Sequence, residues 1–126
     1  MANTAATCKN IAREIQQLQD DIASFAAQRD WDQFHSPKNL SMALAGEAGE
    51  LLEQFQWLTE DQSKNLSHQQ LIAVADEIAD IQLYLIRLAD KLNLDILAEC
   101  NRKIEANAIK YPIDKSKGTA KKYTEL

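Results

Sequence analysis

Residues 67–92 read SHQQLIAVADEIADIQLYLIRLADKL. Ser67 followed three residues later by Gln70 is a capping-box pattern, in which side chain and backbone satisfy each other's free groups at a helix start. No Gly or Pro interrupts the run that follows, which predicts one long helix to about Leu92. Its second half, residues 78–89, is apolar almost all round. A helix of that kind is buried by several neighbours, so it is expected near the centre of a helical bundle.

The neighbours are legible on either side. Ile11, Ile15, Leu18, Ile22 and Phe25 are spaced four, three, four and three apart, one face of a helix from about Ala5 to Gln28. Residues 30–37 break that period and read as a connector. Ser36-Pro37 starts the next helix, because Ser suits the N-cap and Pro suits a first position whose N–H has no partner anyway. Leu40, Leu44, Leu51 and Phe55 form its stripe, to about Trp57, and residues 59–66 read as a polar loop. Asp95 caps a fourth helix to about Lys110, and Pro112 stops it. Residues 113–126 are polar and Lys-rich, and are expected to form a mobile tail. The 126 residues are 45% hydrophobic and 26% charged, with three Gly and two Pro. Too few turn residues are present for a β-sandwich or a doubly wound sheet. The expected fold is all-α, a bundle of about four main helices in one domain spanning residues 1–126.

The formal net charge of −5 makes a poor binder of nucleic acid polymers or anionic membranes. The charge is unevenly placed. Residues 1–101 hold 7 basic and 16 acidic side chains, and residues 102–126 hold 7 basic and 3 acidic ones. Cys8 and Cys100 have no metal-type spacing and read as reduced, buried thiols. Residues 1–10 lack the apolar segment of a secretory signal, and no run reaches membrane-span length. A cytoplasmic protein is expected.

The acidic excess has a pattern. Glu47-Ala-Gly-Glu50, with Glu53 one turn later, lies on the second helix, and Glu77-Ile-Ala-Asp80 lies on the third. Spacing of i, i+3 puts each pair on one helical face. Facing each other across a bundle, the four carboxylates would repel and raise one another's pKa values. A divalent cation removes that repulsion, and all-oxygen ligation suits Mg²⁺ or Mn²⁺ rather than zinc. Most E-x-x-E pairs on helices are solvated faces. Three features set this one apart. Glu47 falls on the apolar stripe itself, Glu77 and Asp80 lead into the all-apolar half-helix, and Gly46 and Gly49 sit among the glutamates. Each helical Gly costs about 1 kcal/mol against Ala, so a close approach by a helix or ligand is expected there.

Basic and aromatic residues complete the inventory. Lys103, Asn107 and Lys110 or Tyr111 lie one turn apart on the fourth helix, with Lys115, Lys117, Lys121 and Lys122 beyond. Lys and Asn donors suit phosphate oxygens, although each set also fits a plain polar surface. Trp31, Phe34, Trp57 and Tyr84 lie near the acids in sequence, and aromatic faces stack nucleobases as readily as they fill cores. Of two connector histidines, His35 stands beside Trp31 and is grouped with the aromatics; His68 reads as a surface residue.

Taken in order, these segments resemble the all-α MazG-like nucleoside triphosphate pyrophosphohydrolases. Residues 29–35 (RDWDQFH), 37–40 (PKNL), 46–50 (GEAGE), 55–57 (FQW), the Lys103, Asn107, Tyr111-Pro112 series and residues 122–126 (KYTEL) are similar to the dCTP pyrophosphatase branch. The resemblance implies hydrolysis of a (deoxy)nucleoside triphosphate, dCTP or a related dNTP, between its α and β phosphates, a house-cleaning role in the nucleotide pool. It implies assembly as a homodimer or homotetramer with sites where protomers meet. It implies Mg²⁺ on Glu47, Glu50, Glu77 and Asp80, with Glu50 orienting or deprotonating the water. Lys91, Lys103, Asn107, Tyr111, Lys121, Lys122 and Tyr123 would hold the triphosphate, and Trp31, His35, Trp57 and Tyr84 the base. Ile22 stands where the animal dCTP enzymes are expected to carry a base-pocket His, so strict cytosine preference is not implied.

Two rivals use the same helices. A di-iron carboxylate bundle needs Glu-x-x-His motifs, and only Asp32-x-x-His35, in a connector, comes near. A non-catalytic dimerisation or partner-binding module would use the apolar stripes but has no need of carboxylates on them.

Overall fold

The computed structural model describes the backbone of residues 4–126 and side chains from residue 13 onward. The elements are α1 (Thr4–Gln28), a 3-10 turn (Asp32–Phe34), α2 (Pro37–Glu53), α3 (Glu60–Ser63), α4 (His68–Lys91), α5 (Ile96–Lys110), α6 (Ile113–Ser116) and a second 3-10 turn (Tyr123–Glu125). All described secondary structure is helical, as the periodicity predicts. The chain forms two compact units, one running to Asn93 and one from Leu94 to Leu126.

In the first unit α4 packs against both α2 and α1. The caps work as read from the sequence. The Ser36 hydroxyl accepts from the Asn39 N–H at 3.2 Å, with Pro37 at the helix start. At α4, Ser67 Oγ accepts from the Gln70 N–H at 3.2 Å, and Gln70 Oε1 accepts from the Ser67 N–H at 2.9 Å. The end of α1 is a left-handed stop. Asp30 has φ 54°, and the N–H groups of Asp30 and Trp31 bond back to the carbonyls of Ala27 (3.1 Å) and Ala26 (2.9 Å). This Schellman arrangement usually carries Gly, and Asp tolerates it.

Three local expectations change in the first unit. The second helix ends at Glu53 rather than near Trp57, and residues 54–57 form turns. The polar loop 59–66 holds the helical turn α3, because Thr59 and Gln62 form a capping box of their own. The apolar half of α4 is not covered all round. Ile86 is buried, but Ile78 is 53% exposed, and Leu83 and Leu85 are exposed as well. The reason is geometric: α4 has two long-helix neighbours in its unit, and two neighbours leave one side open.

Among the described side chains, the buried core is Ala26, Leu40, Val74 and Ile86, joined by Arg87. Large apolar side chains remain on the surface, with Trp57 86% exposed. Ile11 and Cys8, singled out in the sequence, have side chains outside the described set.

The second unit holds α5, capped by Asp95, whose Oδ1 accepts from the Ala98 N–H at 3.0 Å. Residues 113–126, expected as a tail, contain α6 and the second 3-10 turn. Tyr123 meets Tyr111 edge to face, with ring centroids 6.0 Å apart, and the Lys110 ammonium lies 5.0 Å from the Tyr123 ring centre. Cys100 on α5 is exposed, which corrects the expectation of a buried thiol.

Because the α4 start rests on a reciprocal cap, Ser67→Ala should cost about 1 kcal/mol of unfolding free energy. Urea melts of the two proteins check this; an unchanged midpoint would show that tertiary packing alone fixes the helix start.

Candidate functional site

The packing of α4 on α2 brings the two acidic motifs together. Glu47, Glu77 and Asp80 each offer a carboxylate oxygen within 4.8 Å of the others. Glu47 Oε2 and Glu77 Oε2 are buried without a hydrogen-bond partner. An unpaired buried carboxylate oxygen is costly. The cost appears in the acidity of the group. Burial, followed by the neighbouring Glu50, Asp80 and Glu77 charges, pushes the Glu47 carboxyl up to about 7. Burial and the Glu50 charge raise Glu77 as well. Glu50 lies one turn beyond Glu47 with an exposed side chain, and it is outside the close trio.

Three hard oxygen donors in one small volume suit a hard dication. The donors of one Mg²⁺, bound at about 2.0–2.1 Å, lie about 3–4 Å apart, within the span of this trio. The two orphaned oxygens are the groups such an ion would satisfy. The glycines beside them do not mediate helix packing in this chain: a Cβ at Gly46 or Gly49 would meet no atom within 4 Å. Among the described residues, no other helix makes the expected close approach.

A cavity of about 450 Å³ opens beside the acids, within the usual size range of small-molecule sites. Glu47 and Asp80 line one part of it. Leu18, Asp21, Ile22, Phe25, Trp31, His35, Leu83, Tyr84 and Arg87 line the rest. Three of the four residues expected at the base, Trp31, His35 and Tyr84, thus share one cavity with two of the acids. Trp57 does not line it and projects into solvent. Trp31 is held against Phe25 with ring centroids 5.7 Å apart, and the Arg29 guanidinium covers the other ring at 3.6 Å.

Arg87 and Asp32 are the functional-looking residues that sequence reasoning missed. Arg87 is 5% exposed. Its Nη2 donates to Asp32 Oδ1 at 2.7 Å, its Nε to His35 Nδ1 at 3.2 Å and its Nη1 to Asp90 Oδ2 at 3.4 Å. The one usable signal was a single cation inside the apolar run 78–89. Lys91, expected on the triphosphate, donates to Asp32. That contact, followed by the charges of Lys91 and Arg87, holds Asp32 below its ordinary range. In the second unit, Lys103, Asn107, Lys121 and Lys122 are exposed, and Tyr111 and Tyr123 face each other.

The raised Glu47 pKa fixes a sign for stability without metal. An acid raised on folding stabilises fully at or below its ordinary value of 4.5, and that stability is lost as pH climbs through about 7. In chelator, Glu47→Gln should therefore melt higher than the unmodified protein above about pH 7, with the gap closing toward pH 4.5. Melting temperatures across that range check it; a gap independent of pH would remove Glu47 as the source.

Comparison with known proteins agrees with this geometry. Residues 43–126 match the MazG-like family. The chain is 42% identical over 106 residues to dCTP pyrophosphatase 1 of Bos taurus, covering 82% of this chain and 63% of that protein. It is 41% identical to dCTP pyrophosphatase 1 of Homo sapiens, covering 82% of this chain and 62% of that one. It thus spans less than two thirds of the length of these curated relatives. A crystal structure of a pyrophosphatase from Archaeoglobus fulgidus superposes with a TM-score of 0.75 at 35% identity, covering 79% of this chain and 93% of that one. With both acidic motifs inside the matched region, this chain belongs to the MazG-like family.

Proposed function

We propose that this chain hydrolyses (deoxy)nucleoside triphosphates between the α and β phosphates, releasing the monophosphate and pyrophosphate, with dCTP or a related dNTP as substrate. Residues 1–126 would act as one catalytic domain, in the cytoplasm, in clearance of the nucleotide pool. The observation that carries the reading is a trio of crowded carboxylates, two with orphaned oxygens, of which Glu47 and Asp80 line a cavity that also holds Trp31 and Tyr84. A non-catalytic module would gain nothing from such a cluster, since unpaired buried carboxylates only weaken a fold.

Glu47, Glu77 and Asp80 would hold Mg²⁺ or Mn²⁺, with Glu50 alongside. Bound there, the ion would neutralise charge on phosphate oxygens and acidify a bound water. The chain's own residues do the rest. Trp31 and Tyr84 stack on the base, and His35 offers it a hydrogen bond. Glu50, exposed and next to the trio, orients the attacking water and takes its proton. Lys103, Asn107, Tyr111, Lys121, Lys122 and Tyr123 of the second unit, with Lys91, supply cations and donors for the triphosphate. The reaction needs no nucleophilic side chain, because phosphoryl transfer is mostly positioning and electrostatics.

The open side of α4 and the exposed Trp57, Ile109 and Ile113 support self-association as a homodimer or homotetramer. Sedimentation equilibrium should return at least twice the 14.2 kDa chain mass; a monomer at micromolar concentration overturns the assembly.

The activity is tested by incubating the protein with Mg²⁺ and a panel of NTPs and dNTPs, then assaying pyrophosphate against orthophosphate. Pyrophosphate is the expected product, and orthophosphate as primary product overturns α–β cleavage. In the same assay Asp80→Ala should lose about 10²-fold or more in turnover, the equivalent of a few kcal/mol of charge stabilisation, with its helical circular dichroism retained.

A further inference from the structure

Arg87 is a buried cation that none of the roles above uses. It comes from the largely apolar half of α4, where it is the one cation, and it faces a connector rather than solvent. Two of its contacts are ion pairs, to Asp32 and Asp90. The third is to the neutral nitrogen of a histidine: Arg87 Nε donates to His35 Nδ1 at 3.2 Å. A guanidinium has five N–H donors and no acceptor, and it keeps its proton at any pH a protein meets. His35 Nδ1 must therefore offer a lone pair. A neutral imidazole with a lone pair on Nδ1 carries its proton on Nε2.

From this geometry we infer that Arg87 is a positioning residue that locks His35 in the Nε2–H form, so that His35 can only donate, and thereby selects a base edge that presents a carbonyl oxygen or an unprotonated ring nitrogen. The inference rests on the nucleotide reading above and gives the cavity a direction of hydrogen bonding. His35 and Arg87 line the same cavity as Trp31 and Tyr84. The ionisable residues with them, Asp21, Glu47 and Asp80, are acids. Without the lock, His35 would present a donor or an acceptor according to its tautomer, and the edge of the base would be read ambiguously.

The surroundings keep the lock in register. Asp32 accepts from Arg87 at 2.7 Å and also from Lys91, which fixes the 3-10 turn that precedes His35. Asp90 accepts from Arg87 at 3.4 Å and from Gln19 Nε2 of α1 at 2.9 Å. Three segments of the first unit thus hold one guanidinium. Protonating His35 would set an N–H against an N–H. Burial, then the charges of Arg87 and Lys91, hold the imidazole below its ordinary pKa, against the pull of Asp32.

Nitrogen-15 NMR of the histidine rings tests the lock directly. The unmodified protein should show His35 protonated on Nε2 and bare on Nδ1. Arg87→Lys keeps the charge but has no side-chain N–H in the Nε position, and should give a mixture of tautomers. In the dNTP panel the same substitution should raise KM for the preferred nucleotide about three- to tenfold, the value of one hydrogen bond. It should narrow the preference between bases and lower kcat by less than it raises KM. His35→Phe should show the same loss of preference. Adding Arg87→Lys to it should cost nothing more, because both act through one hydrogen bond. If Arg87→Lys does not fold, the ring spectrum of the unmodified protein and the His35→Phe panel still decide. An Nδ1–H tautomer in the unmodified protein, or additive effects in the double variant, overturns the inference. A locked tautomer in a protein that hydrolyses no nucleotide overturns the functional reading, and with it the substrate side of this one.

Discussion

Like charges held together at the seam of α2 and α4 are the constraint on which this structure turns. Glu47, Glu77 and Asp80 sit closer than free carboxylates would choose, because they share helices with the side chains that make the core. Leu40 lies two turns before Glu47 on α2, and Val74 and Ile86 flank Glu77 and Asp80 on α4. Burying those apolar groups fixes how the two helices face each other, and so fixes the acids. The fold therefore supplies the energy that holds the charges together, and something outside the fold must cancel them. A proton does so at low pH, which is why Glu47 titrates near 7. A dication would do so once the carboxylates have lost their protons, and would keep coordination positions for a phosphate.

The other end of the cavity meets a buried charge in the opposite way. Arg87 arrives with its counter-charges built in, Asp32 and Asp90, and with a histidine to take its remaining directed donor. A satisfied cluster gains rigidity, whereas an unsatisfied one gains affinity. One cavity thus has one end where a buried charge is paired and another where buried carboxylate oxygens have no hydrogen-bond partner.

What could be read from the sequence was local. The caps at Ser36, Ser67 and Asp95 and the i, i+3 acids depend on neighbours a turn apart, and the structure forms the caps and brings three of the acids together, whereas Leu18 and Phe25 of the first stripe stay exposed. The resemblance to MazG-like proteins rested on the same short motifs. Arg87 was invisible because its meaning lies in Asp32 and His35, 55 and 52 residues away. The resemblance puts Trp57 at the base, and in the single chain α2 ends at Glu53 and leaves Trp57 exposed, away from the cavity. The all-apolar half of α4 announced several neighbours, and periodicity does not say whether they belong to the same chain.

Asp30 carries a lesson for anyone comparing members of this family. It precedes Trp31, which lines the cavity, in a stretch that also holds Asp32. Its left-handed backbone shows that it is there to stop a helix, a task open to Gly, Asn or Asp and closed to β-branched residues. An acid at this position looks catalytic, yet its carboxylate accepts from Gln33 Nε2 at 3.0 Å and its main chain makes the turn. Drift there to Asn or Gly should be read as neutral, and drift to Val or Ile as damage to the placement of Trp31.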